Sequence, residues 1–115
     1  MIPHAPPIRF DVNDGDVILP LVHPLCVDGA YPAVALLELA AQLAGRAASL
    51  PGGGAEPGHR GMLVEVDDCT ILTPSVPAGS RLRAEVTLER RLGGLHRFRV
   101  TLDGVLSTGL TLRIG

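Results

Sequence analysis

Glu38 is the one carboxylate in the run PAVALLELAAQLAGRAAS, residues 32–49, where nearly every other residue is apolar. A carboxylate in such a setting is paired, turned to solvent, or kept for chemistry. Desolvation would raise its pKa toward neutrality, the condition a general acid needs. Gln42 and Arg46 follow at successive spacings of four, so on a helix the three polar residues form one stripe. Bonded to either of them, Glu38 would merely solubilise that face. His23 stands upstream in VHPLCVDGAYPA, where Pro24 forces an irregular approach. A histidine there can serve as a base near neutral pH or be an ordinary loop side chain. The backbone amides around Tyr31 to Val34, at the start of the helix, could polarise a carbonyl, as any helix N-terminus can.

Other constellations are weaker. His4, His23, Cys26 and His59 are metal-ligand types, but their spacing matches no closed zinc site. Ser49, Ser75, Ser80 and Ser107 have no nucleophile-elbow context. No G-x-G-x-x-G or Walker sequence is present, so no nucleotide cofactor is indicated. With 115 residues, 46% hydrophobic and 19% charged, the chain suits one domain spanning 1–115 that fills its core without metal or disulfide staples. Cys26 and Cys69 are expected as buried free thiols. A net charge of -2, with Lys absent, offers no broad basic surface for nucleic acid or anionic lipid. The opening residues lack the basic and apolar regions of a signal peptide, so a cytoplasmic protein is expected.

The elements that position these residues follow from periodicity. Residues 8–12 alternate as a half-buried strand, 13–15 read as a turn, and 17–22 form a second apolar run that Pro20 confines to an edge or bulge. A helix from Pro32 to about Ser49 is opened by proline and closed by the glycine-rich loop at residues 50–61. It is apolar nearly all round and carries ionisable groups mid-span, so it belongs in a protein core and not in a membrane. Four strands follow, at residues 62–72, 81–90, 95–103 and 105–114. Their connections PSVPAGS, GG and DG suit an antiparallel meander. The expected fold is α+β, an antiparallel sheet curled around one helix that buries Val34, Leu36, Leu37, Leu39 and Leu43 together.

The run HPLCVDGAYPAVALLELAAQLAG resembles the central-helix motif of hot-dog-fold beta-hydroxyacyl-carrier-protein dehydratases, in which H-F-P-G precedes P-G-V, a catalytic carboxylate and an A-Q pair. MLVEVDDCTILTPSVPAGSRLRAEVTLERR resembles the strand pair after that helix, with its V-P-x-G turn, and DGVLSTGLTLRI resembles the last strand. The likeness runs from about Val22 to the C-terminus and is closest to short dehydratase-like proteins of aryl polyene and related polyketide pathways. It implies a hot-dog fold and dehydration of a 3-hydroxyacyl thioester, carried by acyl carrier protein or coenzyme A, in fatty acid or polyketide-type synthesis. By the same resemblance His23 is the catalytic histidine, Glu38 the carboxylate, and Tyr31, Pro32, Ala33, Val34 and Gln42 line the substrate site. No metal or redox cofactor is implied. The site would lie at the interface of a homodimer, or of a heterodimer with a related hot-dog subunit. Ala33 replaces the motif glycine, HPLCVDG departs from H-F-P-G, and the 15-residue step from His23 to Glu38 is one longer than usual. A thioesterase using Glu38 to activate water, and a non-catalytic acyl-binding or partner subunit, are the alternative readings.

Overall fold

The computed structural model describes residues 12–13, 15–48 and 61–114. Two short strands, β1 (Val12–Asn13) and β2 (Asp16–Ile18), precede β3 (Ala30–Pro32). A 3-10 turn, Ala33–Leu36, runs directly into α1, Leu37–Ala48. Then come β4 (Gly61–Ile71), β5 (Ser75–Pro77), β6 (Arg81–Leu92), β7 (Leu95–Leu102) and β8 (Leu106–Ile114). Among the described residues six strands make one antiparallel sheet in the order β1-β2-β6-β7-β8-β4, and β3 pairs with β5 beside it. The expectation of an antiparallel sheet on one helix is met.

The sheet forms where strict alternation permits it. Leu82, Ala84, Val86 and Leu88 of β6 point to the helix side, as do Phe98, Val100 and Leu102 of β7 and Leu106, Leu110 and Leu112 of β8. Fully burying each large apolar side chain contributes about 1.5–3 kcal/mol. The turn between β7 and β8 contains Gly104, whose φ of 76° a side-chain-bearing residue rarely adopts.

Several boundaries differ from the sequence reading. Of the first strand only Val12 lies within the described residues, where it pairs with Val17. The second apolar run leaves the sheet after Ile18, two residues before Pro20, which has no amide for the ladder. Pro32 is the last residue of β3, with ψ at 135°, and not the first helical residue. Part of the expected PSVPAGS turn is the strand β5, because Val76 pairs with Tyr31. Cys69 is exposed and Cys26 only half-buried, so neither is the buried thiol expected. Ser49 and the loop at 50–60 lie outside the described residues.

The helix is not sheathed on all sides. Leu36, Leu39, Ala40, Leu43, Ala44 and Ala48 recur at helical spacing and face the sheet. Val34, expected in the core, is 62% exposed, and Leu37 is half-buried. The sheet covers one face of a helix that is apolar on more than one. No described helix is long and apolar enough to cross a membrane.

Candidate functional site

His23 lies on the segment between β2 and β3, held at both ends by backbone bonds. At one end the Leu19 amide donates to the Ser80 carbonyl at 2.9 Å, and the Gly79 amide returns a bond to Leu19 O at 2.8 Å. At the other, Val27 and Ala30 exchange bonds of 2.7 and 3.1 Å across a tight turn, in which Asp28 and Gly29 both take positive φ. Between the anchors Leu21 and Val22 project outward, Val22 90% exposed, while His23 is half-buried.

Two amides wrap the His23 residue. Leu25 N–H donates to its Nδ1 at 3.1 Å, and Cys26 N–H donates to its carbonyl at 2.9 Å. With the Nδ1 lone pair engaged, a neutral imidazole carries its hydrogen on Nε2. The ring packs against Tyr31, centroids 5.9 Å apart and planes tilted by 49°.

Tyr31 is fully buried, and its hydroxyl donates to the Pro20 carbonyl at 2.5 Å. Burial, and secondarily the nearby Cys26, push the phenol pKa above its usual value. The sequence reading set Tyr31 among the residues lining the substrate site and used its backbone amide, whereas its side chain is fully buried in the core. The signal available was an aromatic with a polar end beside an otherwise apolar helix start, which needs a partner when buried.

Glu38 stands one residue into α1, in the first turn, and is exposed. Gln42 Nε2 donates to its Oε1 at 3.3 Å, so the polar stripe forms as its spacing implies. The protomer alone therefore does not supply the desolvation that a general acid requires. The expected cradle of amides narrows. Pro32 has none, the Ala33 amide is held by the Pro74 carbonyl at 2.9 Å, and Tyr31 sits in the ladder opposite Val76. The Val34 amide remains, beneath an exposed side chain. His4 and His59 lie outside the described residues. Among the described ones no three His, Cys, Asp or Glu are grouped to hold a metal ion.

A second charged cluster occupies the opposite face of the sheet. Arg97 bridges Asp67, Asp68 and Glu89, and Arg99 reaches Asp68 and Glu89. Arg97 Nη1 meets Asp67 Oδ2 at 2.5 Å directly above Gly109, where any Cβ would overlap both side chains. Beside it lies a cavity of about 330 Å³ bounded by Glu65, Arg90, Leu92, Leu95 and Thr111 with Asp67 and Arg97. It shares no residue with the His23 segment.

No family model matches the chain. Over 84 residues it is 34% identical to 3-hydroxyacyl-(acyl-carrier-protein) dehydratase FabZ of Erwinia tasmaniensis, an alignment covering 71% of this chain and 55% of that protein. The chain thus spans about half the length of the curated relative it matches.

Proposed function

This chain belongs to the dehydratase-like hot-dog family, and from that premise we propose that it dehydrates 3-hydroxyacyl thioesters presented by acyl carrier protein, in fatty acid or polyketide-type synthesis. The similarity to FabZ carries this reading. The placement of His23 and Glu38 at opposite ends of one segment leading into α1 supports it.

In the reaction His23 removes the proton alpha to the thioester carbonyl while Glu38 gives a proton to the departing hydroxyl. Water leaves and an enoyl thioester remains. The Val34 amide holds the thioester oxygen as enolate charge develops. Accepting that proton calls for a free imidazole lone pair, so the Leu25 contact at Nδ1 is given up when substrate binds.

Assembly as a dimer completes the site, His23 from one protomer meeting Glu38 of the other. The edge of the six-stranded sheet at β4, unpaired among the described residues, supports this. It is 11 residues long and exposes Leu63, Val64, Val66 and Ile71. A long apolar edge is a template for pairing with another chain. For Glu38 to act as the acid, that assembly must also desolvate it.

The occupied Nδ1 and exposed Glu38 favour one second reading, a partner subunit without a working pair of its own. The test is turnover of a 3-hydroxyacyl carrier thioester by the purified chain, read as enoyl thioester formed. His23→Ala and Glu38→Gln should each lower kcat by about 10² to 10⁴. Free acid and thiol as products would indicate thioester hydrolysis. No turnover by the wild type would leave the partner-subunit reading.

A further inference from the structure

The segment from Pro20 to Cys26 crosses the gap between β2 and β3 with its backbone outside any sheet. Its ends are anchored, yet His23 sits in the middle, between the exposed Leu21 and Val22 and the exposed Pro24. The bonds that Leu25 and Cys26 make to His23 are internal to the segment and travel with it. Tyr31 is different. It belongs to β3, its backbone is registered against Val76, and its ring is fully buried against the core. From that fixed base its hydroxyl reaches the carbonyl of Pro20, three residues before His23, and its ring forms one wall of the imidazole. Proline at position 20 adds stiffness to the segment, since its φ is locked.

We infer that Tyr31 is the positioning residue for His23. Its phenol tethers the segment at Pro20 and its ring sets the imidazole plane, so that the nitrogen enters the site in one orientation. The inference rests on the reading of His23 as the proton-transfer group. Tyr31 itself touches no reacting atom, being buried on the core side. Positioning of this kind matters because a misplacement of about 1 Å can cost about a hundredfold in rate.

Tyr31→Phe removes the tether and keeps the ring. In steady-state assays with the 3-hydroxyacyl carrier thioester, kcat should fall by about ten- to a hundredfold with KM within about twofold. The His23 ring resonances, followed by NMR against pH in the free protein, should shift in position and in titration midpoint. Pro20→Gly keeps the accepting carbonyl and frees the chain that carries it, and should give an intermediate loss. A merely structural tyrosine would lower the melting temperature and leave kcat and the His23 titration as in the wild type, and that result overturns the inference. If the wild type does not turn over substrate, the catalytic reading fails. The NMR titration then still decides whether Tyr31 sets the state of His23, and an unchanged His23 signal in Tyr31→Phe rejects it.

Discussion

His96 occupies a core position on β7 that an apolar residue would fill better. It lies between Arg91 of β6 and Leu112 of β8, on the face that also carries Phe98, Val100 and Leu102, and is 3% exposed. Its Nδ1 is buried and makes no hydrogen bond among the described residues. An unsatisfied buried polar atom costs about 1–3 kcal/mol, and burial, then the charge of Arg91, lowers the His96 pKa. His96→Leu should therefore stabilise the fold by about 1–3 kcal/mol at pH 8, which for a domain of this size raises Tm by roughly 3–6 °C per kcal/mol.

The pH dependence has a definite sign. The unfolded chain takes up the His96 proton near its ordinary pKa of about 6.5, before the folded chain does. Wild-type stability from this group is thus unaffected above that pH, falls as pH drops below it, and levels off below the folded-state pKa. His96→Leu lacks this loss, so its advantage should widen between pH 8 and pH 5. Urea denaturation of both proteins at the two pH values measures it, and all other histidines cancel in the difference. A variant less stable than wild type at pH 8, or a gap that does not widen in acid, refutes the reasoning.

Gly109→Ala should force Arg97 and Asp67 apart, because the new Cβ overlaps both. The expected outcome is a lower Tm, with the loss shrinking when Arg97→Ala is added, and additive effects would disprove the steric account. If the proposed dimer pairs through the β4 edge, a charge there, Val64→Lys, should give monomer in light scattering at micromolar concentration and abolish the proposed turnover. A dimer that persists in that variant would place the interface elsewhere.

Much of the fold lay in local pattern. The alternation of Leu82, Ala84, Val86 and Leu88 with polar neighbours located β6 and its buried face, because side-chain direction in a strand has a period of two. Asp103-Gly104 located the last hairpin, since its turn needs a positive φ. The same alternation placed His96 in register with Phe98, a signal present in the sequence but not one that reveals a missing hydrogen bond. The Glu38–Gln42 contact was readable from a spacing of four on a helix.

What the tertiary structure decided were relations between distant segments. An apolar helix looks buried on every side, but how far the sheet wraps it depends on where β4, β6, β7 and β8 lie, and that left Val34 outside. The bulges between Leu63 and Glu65 and between Asp67 and Thr70 rephase β4 against β8 and bring Asp67 over Gly109 to meet Arg97. The bond from Tyr31 to Pro20 joins residues 11 apart across a loop. Periodicity reports only which side of its own element a residue faces, whereas these contacts arise when separate elements pack.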